Sequence, residues 1–225
     1  MDELEKQFEQ FRPWITQFTI GGKHYGGSLS FENDPRISLF FDIFPDVKTI
    51  LDLGSLEGGQ TVELAKRAGT RVTGIEGRDY NVQKANFIRE LSGIGTVDFI
   101  YADLETARLS GFGVFDAVFC SGLLYHLKRP WQLIHEISTV TSRVFFWTHY
   151  ATDEKARERI EGYPGHWYQE SGYYDPLSGL SSQSFWVTRN ALTAMLQANG
   201  FSNVRVLQDT PDHVNGPAII LGAWK

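Results

Sequence analysis

Short apolar runs alternate with amphipathic segments through the middle of the chain, and this alternation predicts a repeated strand–helix order. A bounded apolar run of about four to eight residues is typical of a buried strand, whereas apolar positions three and four apart indicate a helix. From 46 to 149 the pattern predicts alternating elements, namely strands at 48–53, 71–76, 97–102, 114–120 and 143–149 and helices at 59–68, 79–92 and 129–139. Such units form mainly parallel sheets with helices on both faces.

The N-terminal 45 residues do not follow this order. Residues 2–12 are amphipathic and predict a short helix, and the glycine-rich stretch 21–30 predicts a loop. A second helix is expected at about 34–44, because "NDPRISLFFDIF" begins with capping residues and a proline. We interpret 1–45 as an N-terminal cap on the repeated core.

The order breaks again after residue 149. Residues 150–187 contain many glycines and aromatic residues but few apolar runs, and an insertion of that length is usually functional or contains short elements of its own. A helix at 188–200 then precedes strands at 203–209 and 217–225, whose short connection predicts an antiparallel hairpin.

The expected architecture is therefore one α/β domain over residues 1–225. Its sheet is predicted to be doubly wound, seven-stranded and mostly parallel, with a C-terminal antiparallel hairpin and helices on both faces. The domain divides into four parts, which are the cap (1–45), a core that holds a cofactor (46–149), a lid-like insertion (150–187) and a closing helix with its strand hairpin (188–225).

Composition narrows the class of protein. Apolar residues make up 42% and charged residues 21% of the chain, as in soluble globular proteins, and no apolar run approaches the ~18 residues of a membrane span. A single cysteine excludes an internal disulfide framework and, with a charged N-terminal stretch, predicts a cytoplasmic location. The net charge of −6, without a basic cluster, disfavours nucleic acid as a partner.

The stretch "ILDLGSLEGGQT", residues 50–61, joins a predicted strand to a predicted helix through a glycine turn. Open parallel sheets bind ligands at the carboxyl ends of their strands, and Gly54 and Gly58 permit close approach to the backbone. The spacing is not that of a dinucleotide fingerprint, and no Lys-Ser/Thr pair follows as in a phosphate loop. A turn without a ligand is the alternative.

Two acidic residues follow on the next strands. Glu76 ends the strand at 71–76, where a carboxylate can accept hydrogen bonds from both hydroxyls of a ribose. Asp103 ends the strand at 97–102, where it can accept from the exocyclic amine of an adenine. Two acids without phosphate-binding features predict a nucleoside that carries a non-phosphate tail.

Four motifs in the same order resemble the class I S-adenosylmethionine (SAM)-dependent methyltransferases. They are "LDLGSLEGGQTVELA", "VTGIEGR", "YADLE" and "FDAVFCSGLLYHLKRPWQLIHEI", and the resemblance covers roughly residues 47–147. Upstream, "FENDPRISLFFDIF" resembles a helix found in a subset of these enzymes, which includes relatives of the tRNA wobble-uridine methyltransferases and small-molecule enzymes. The resemblance implies SAM as cofactor and S-adenosylhomocysteine (SAH) as product.

The resemblance also implies which residues hold the cofactor. The methionine part would lie against Asp52, Gly54, Ser55 and Gly58, the ribose against Glu76, the adenine against Asp103 and Leu104, and the amine and methyl against Cys120, Ser121 and Gly122. Arg36 is a candidate partner for the cofactor carboxylate, because a guanidinium suits a carboxylate. A solvated helix residue is the alternative for Arg36.

Histidines near the carboxyl edge are the candidate catalytic residues, since removal of a hydroxyl proton near neutral pH usually employs histidine. His126 follows the fourth core strand and His149 ends the fifth, where it could also contact the acceptor; a structural role is the alternative for His126. The aromatic residues of the insertion and its neighbourhood could wall an acceptor pocket, the candidates being Tyr125, His166, Trp167 and Tyr168. The alternative for the insertion is packing or a dimer contact. No metal site is expected from the histidine spacing.

The leading hypothesis is methyl transfer from SAM to oxygen, with nitrogen as the alternative, of a small metabolite that could be aromatic. A tRNA base-modifying methyltransferase is a second hypothesis, which the acidic balance disfavours. A non-catalytic SAM-binding subunit is a hypothesis of another class. The glycine spacing and the C-terminal hairpin speak against a dehydrogenase. The sequence does not determine which acceptor is methylated. It also leaves the oligomeric state open, with a homodimer as one alternative.

Overall fold

The computed structural model describes residues 2–225, and its elements are numbered here in chain order. The helices are α1 (Glu3–Glu9), α2 (Pro35–Ile43), α3 (Gly59–Ala65), α4 (Asp79–Ser92), α5 (Pro130–Val140) and α6 (Arg189–Ala198). The strands are β1 (Thr16–Ile20), β2 (Lys23–Gly26), β3 (Leu29–Ser30), β4 (Thr49–Leu53), β5 (Arg71–Glu76), β6 (Val97–Tyr101), β7 (Ala117–Ser121), β8 (Arg143–His149), β9 (Glu158–Ile160), β10 (Tyr163–Gln169), β11 (Gln183–Val187), β12 (Asn203–Thr210) and β13 (Ala218–Trp224).

The central sheet has seven strands in the order β12-β13-β8-β7-β4-β5-β6. Strands β4 to β8 run parallel, whereas β13 is antiparallel to both β8 and β12. The predicted α/β fold with a C-terminal antiparallel hairpin is confirmed. The chain winds from β4 through β5 to β6 on one side and then returns to β7 on the other, so the switch point lies between β4 and β7. Open sheets of this kind bind ligands at that point.

Alternation along each strand separates two apolar layers, one on each face of the sheet. Ile50 and Phe119 belong to a cluster with Phe40 of α2 and Leu64 of α3. Their strand neighbours, Leu51 among them, belong to the cluster formed with α5 and α6. Because successive side chains of a strand point to opposite faces, the short apolar runs of the sequence fill both layers. The helices therefore cover both faces, as predicted.

A three-stranded sheet, β2-β1-β3, replaces the loop that was predicted over 21–30. Residues of β2 and β3 are mostly exposed, so they carry no alternation of apolar and polar positions that would indicate strands. Strand β1, which was not predicted, buries Thr16 and Phe18 beside an aromatic cluster of Phe8 and Trp14. The N-terminal cap thus consists of helix α1, the small sheet and helix α2, in that order along the chain.

Buried charges join this small sheet to the glycine turn. Glu57, fully buried, accepts hydrogen bonds from the backbone N–H of Ile15 at 3.0 Å and of Thr16 at 2.6 Å. Lys84 of α4 donates to the same carboxylate at 2.7 Å and also to the carbonyl of Pro13. A buried charge of this kind requires partners, and here its partners fix the cap beside the turn that follows β4.

The insertion, residues 150–187, contains a second small sheet, β11-β10-β9, in which both strand pairs are antiparallel. Its strands were not located from the sequence, because β9 has only three residues and a proline and a glycine interrupt β10. A short 3₁₀ helix, Leu124–His126, lies against β11, and the N–H of Phe185 donates to the carbonyl of Leu127 at 2.9 Å. The rest of the insertion between β10 and β11 is a loop above the carboxyl edge of the central sheet.

Three predicted boundaries differ by a few residues. The strand predicted at 114–120 begins at Ala117, the helix predicted at 59–68 ends at Ala65, and the helix predicted at 2–12 covers only 3–9. Ends of helices and strands are set by capping and turn contacts that periodicity does not encode. Among residues 2–225, the longest helix has 14 residues and none is long and apolar enough to cross a membrane.

Candidate active site

The turn after β4 brings backbone N–H groups to the carboxyl edge of the sheet. The N–H groups of Gly54 and Ser55 both donate to the carbonyl of Ile75, at 2.9 and 3.0 Å, which fixes the turn against β5. Gly58 precedes α3 with a φ of 84°, in the left-handed region that favours glycine, and a Cβ there would lie 2.7 Å from Cζ of Phe99. Gly58 therefore shapes the turn.

This turn forms one wall of a cavity of about 410 Å³, a size typical of small-molecule sites. Many of the predicted site residues line that cavity together, namely Arg36, Gly54, Ser55, Glu76, Asp103, Leu104, Ser121, Gly122, Tyr125 and His126. The predicted residues that do not line it are Asp52, Gly58, Cys120, His149, His166, Trp167 and Tyr168. The cavity lies at the switch point of the sheet.

Glu76 ends β5 at the edge of the cavity. Its carboxylate accepts hydrogen bonds from the N–H of Leu56 at 3.0 Å and of Arg78 at 2.9 Å. Burial raises the pKa of Glu76, and the neighbouring Arg78 guanidinium opposes that rise. The contact with Leu56, whose φ is 51°, links the carboxylate to the glycine turn.

Asp52 lies behind the turn and not on the cavity wall. Its carboxylate accepts a hydrogen bond from Oγ1 of Thr61 at 2.6 Å, and burial raises the pKa of Asp52 to about 7. Cys120, which was predicted to contact the cofactor, does not line the cavity, and its side chain is fully buried in the apolar layer of α5 and α6. Burial likewise raises the pKa of the Cys120 thiol.

Arg36 reaches the cavity from the start of α2. Its guanidinium pairs with the buried carboxylate of Asp34, with the Nη2 to Oδ2 distance at 2.6 Å, and lies 5.1 Å from the ring centre of Trp147. Nε2 of Gln60 donates to the same carboxylate at 2.9 Å and to Oγ of Ser121 at 3.2 Å. This network joins α2, α3 and β7 along one wall.

His126, on the cavity wall, forms a hydrogen-bonded pair with a buried carboxylate. Its Nδ1 lies 3.0 Å from Oε1 of Glu170, which comes from the insertion. Glu170 is buried and accepts three more hydrogen bonds, from Oγ of Ser178 at 2.6 Å, Oγ of Ser184 at 2.7 Å and N–H of Gly179 at 2.9 Å. A carboxylate with these donors is ionised, so it accepts from Nδ1–H and leaves Nε2 of a neutral imidazole as the acceptor.

Replacing Glu170 by glutamine is expected to flatten the loss of stability at acid pH. Burial alone would raise the pKa of Glu170, but hydrogen bonds from His126, Ser178 and Gly179 lower it to about 2. A depressed carboxyl pKa stabilises the folded state above the ordinary value near 4.5, and that contribution is lost as pH falls through 4.5 toward 2. Between about pH 7 and pH 3 the wild type should lose roughly 2 kcal/mol that the variant does not.

Urea unfolding of both proteins at the two pH values measures this difference. Glu158→Gln, an exposed position on β9, is the matched control and should behave like the wild type. An equal loss of unfolding free energy in the wild type and in Glu170→Gln would contradict the account of Glu170.

His149 is not on the cavity wall, contrary to the prediction of a catalytic or acceptor contact. Its Nδ1 lies 2.9 Å from the carbonyl of Gly216 and its ring stacks on Trp186, with ring centres 5.1 Å apart. Burial lowers the pKa of His149. The turn between β12 and β13 covers the His149 ring. The residue of β8 that lines the cavity is therefore Trp147, two residues earlier.

His166, Trp167 and Tyr168, which were predicted to wall the acceptor pocket, do not line the cavity. These residues belong to β10, where side chains alternate between the two faces of the strand. Trp167 packs against Phe185 with ring centres 5.1 Å apart, whereas Tyr168 stacks on Trp186 at 4.6 Å. The part of the insertion that lines the cavity is instead the loop segment 176–181.

Several residues of the site were not predicted. Arg78 and His213 line the cavity, and the buried Glu170 reaches the site through its contact with His126. The sequence signal for Glu170 is the stretch "YQESG", in which a serine and a glycine follow it. A carboxylate in such a small and polar stretch often accepts local hydrogen bonds. Arg78 stands two residues after Glu76, the last residue of β5, and this position is the only sequence signal for it.

Comparison with known proteins places this geometry in a family. A family model described as a methyltransferase domain matches residues 51–143. The crystal structure of the N-terminal domain of EvdMO1 in the presence of SAH and D-fucose matches with a TM-score of 0.90 at 33% identity, covering 100% of this chain and 97% of that one. The crystal structure of EvdMO1 matches with a TM-score of 0.78 at 30% identity, covering 99% of this chain and 47% of that one.

Among curated proteins, cycloartenol-C-24-methyltransferase 1 of Oryza sativa subsp. japonica is 28% identical over 161 residues, which is 66% of this chain and 46% of that protein. The chain therefore spans about half the length of this curated relative, and about half of EvdMO1.

The cavity suits the cofactor of this family. Oγ of Ser55 is buried on the cavity wall and makes no hydrogen bond within residues 2–225, so it is available to a polar ligand. Glu76 and Asp103 stand at the ends of neighbouring strands, where a nucleoside would lie between them. With the whole-chain similarity to a domain crystallised with SAH, these features establish that the chain belongs to the class I SAM-dependent methyltransferases and takes SAM as its cofactor.

Proposed function

We propose that this domain transfers a methyl group from SAM to a hydroxyl oxygen of a small, sugar-like acceptor. The observation that carries the proposal is that His126, on the wall of the cofactor cavity, is paired with the buried carboxylate of Glu170 behind it. When bound, SAM supplies a methyl group that is already activated, so the protein has to position the acceptor and accept its proton. A histidine that is oriented by a buried carboxylate is suited to that proton transfer.

In this proposal, His126 is the general base and Glu170 is its positioning residue. Glu170 accepts from Nδ1–H, which fixes the tautomer and leaves the lone pair of Nε2 for the hydroxyl proton. As the proton moves to Nε2, the imidazole becomes cationic, and the ionised Glu170 at 3.0 Å stabilises that charge. The alternative is a nitrogen acceptor. A neutral amine already carries a free lone pair, so it would have less need of the His126–Glu170 pair.

The cofactor residues are proposed from their places on the cavity wall. Gly54 and Ser55 are suited to the methionine part and Glu76 to the ribose hydroxyls. For the adenine and the reactive end, the proposed contacts are Asp103, Leu104, Ser121 and Gly122. Arg36 could contact the cofactor carboxylate through the guanidinium edge that Asp34 does not occupy.

The acceptor class is proposed from the similarity to EvdMO1, whose N-terminal domain was crystallised with SAH and D-fucose. The cavity wall combines the aromatic ring of Trp147 with polar groups of His126, His213 and Asn215. An aromatic surface beside hydrogen-bonding groups suits a hydroxyl-rich ring. The resemblance to the tRNA wobble-uridine group stays a prediction, and a net charge of −6 disfavours it.

Incubation with methyl-labelled SAM and a panel of acceptors tests the proposal. The panel contains D-fucose and other free sugars, a phenol, a primary amine and a tRNA transcript, with mass spectrometry to detect the methylated product. We expect methylated sugar as the main product. Methylation of tRNA or of the amine in preference to every sugar would contradict the proposal.

A further inference from the structure

The loop that covers the cavity, residues 170–181, is called the lid below. Its second half, 176–181, lines the same cavity as Glu76 and Asp103, so the lid lies over the part of the site proposed for the nucleoside. Leu180 packs on the backbone of Gly77, where an added Cβ would be 2.6 Å from Cδ1 of Leu180. The lid therefore meets β5 at the residue directly after Glu76.

One buried guanidinium holds the lid in this position. The side chain of Arg78 is 6% exposed and donates to backbone carbonyls of the lid. Its Nε donates to Tyr173 at 2.8 Å, and its Nη2 lies 2.8 Å from the carbonyls of both Asp175 and Ser178. Longer contacts reach the carbonyls of Gly172 at 3.3 Å and Gly179 at 3.4 Å. A guanidinium has five N–H donors in a fixed plane, which suits such a set of acceptors.

The other side of the lid contacts the proposed base, since Oε1 of Glu170 lies 3.0 Å from Nδ1 of His126. Glu170, at the start of the lid, accepts from Oγ of Ser178 at 2.6 Å and from the N–H of Gly179 at 2.9 Å. Gly179 lies against the backbone of His126, where an added Cβ would be 2.6 Å from the carbonyl oxygen. The same short stretch, 178–179, is thus held by Arg78 from the cofactor side and by Glu170 from the acceptor side.

We propose that Arg78 is the positioning residue that keeps the lid closed over the cofactor, and that SAM and SAH exchange when these contacts open. The inference rests on the proposed place of the cofactor in this cavity. Arg78 adjoins Glu76, with Nη1 4.0 Å from Oε1, so the lid and the proposed ribose contact share one short segment. Removal of the guanidinium would leave buried carbonyls without donors, which favours the open lid.

Arg78→Gln tests this role in two ways, of which the first needs no cofactor. Hydrogen exchange of the free protein should be faster for lid amides in the variant than in the wild type, with amides of β4 and β7 unchanged. Stopped-flow measurement of SAH release should give dissociation about 10- to 100-fold faster, the loss expected for hydrogen bonds to a charged group. Arg71→Gln, an exposed arginine at the start of the same strand, is the matched control and should change neither.

Equal lid exchange and equal SAH release in the wild type and Arg78→Gln would overturn the inference. If the wild type exchanges its lid slowly but binds no SAH, the proposed cofactor site fails and the link to cofactor exchange is overturned with it. Should Arg78→Gln not fold, Gly179→Ala gives the same test, because its Cβ would press on the His126 carbonyl and displace the lid. Gly111→Ala, where a Cβ meets nothing within 4 Å, is its control. Unchanged lid exchange and SAH release in Gly179→Ala would likewise overturn the inference.

Discussion

Replacing His126 by alanine is expected to lower kcat for methyl transfer by about 100- to 10,000-fold, the usual contribution of a general base. The imidazole lines the cavity, and its Nδ1 is hydrogen-bonded to Glu170, so Nε2 is the group available to an acceptor hydroxyl. SAH affinity should stay the same, because the His126 side chain is not among the proposed cofactor contacts, which come from Arg36 and from the ends of β4, β5, β6 and β7. Steady-state rates with the best sugar acceptor, together with calorimetric titration by SAH, measure both effects.

The control for this variant is His135→Ala. His135 is an exposed histidine of α5 that contacts Asn199 and does not line the cavity, so its removal should leave kcat unchanged. An unchanged kcat in His126→Ala would return His126 to a structural role and remove the proposed base.

Glu170→Gln should also lower kcat, because it is expected to change the tautomer of His126. A glutamine amide can donate to Nδ1, which would move the ring proton to Nε2 and remove the acceptor lone pair. Because the two residues act as one unit, the double variant should lose little more than His126→Ala alone. Fully additive losses would indicate that Glu170 acts by some route other than His126.

Replacing Glu76 by alanine is expected to weaken SAH binding by roughly 1.5–3 kcal/mol, or about 10- to 150-fold in Kd. The carboxylate stands at the end of β5 on the cavity wall, where it can accept from ribose hydroxyls. It also accepts from the N–H of Leu56, so its loss would loosen the glycine turn as well. Calorimetric titration with SAH measures the affinity, and thermal unfolding of the free variant separates binding from stability.

Asp98→Asn is the matched control for Glu76→Ala. Asp98 is an exposed carboxylate on the adjacent strand β6 and contacts Arg71 and Arg89 away from the cavity. It should bind SAH like the wild type. SAH affinity that is the same in Glu76→Ala as in the wild type would reject the ribose contact.

The central sheet could be predicted from the sequence because its five inner strands are mostly buried on both faces. Strands β5 and β8 begin and end where the apolar pattern places them, since burial leaves little freedom of register, and helix α4 does so as well. Antiparallel pairing of β12 and β13 followed from the short connection between them. The small sheets were missed because β2, β3 and β9 are short and largely exposed, and pairing between such strands depends on tertiary contacts.

The cofactor half of the site was predictable for a related reason. In an open parallel sheet, residues at strand ends meet at one edge, so Glu76 and Asp103 could be located from strand order alone. The acceptor half depends on how the insertion folds, which strand order does not determine. Glu170 is 44 residues from His126 in sequence, and no periodicity links them. His149 does not line the cavity because Trp186 and the turn before β13 cover its ring, and Trp167 does not line it because it packs against Phe185 on the outer side of β10 while remaining partly exposed.

The most direct test of the proposed function is a single-turnover reaction with SAM labelled with ¹³C in its methyl group. The wild type and His126→Ala are compared with a sugar acceptor, and the product is identified by NMR. The account predicts an O-methyl resonance on the acceptor in the wild type, formed about 100-fold or more slowly in His126→Ala. A methyl group on carbon or nitrogen, or transfer at the same rate in His126→Ala, would contradict it.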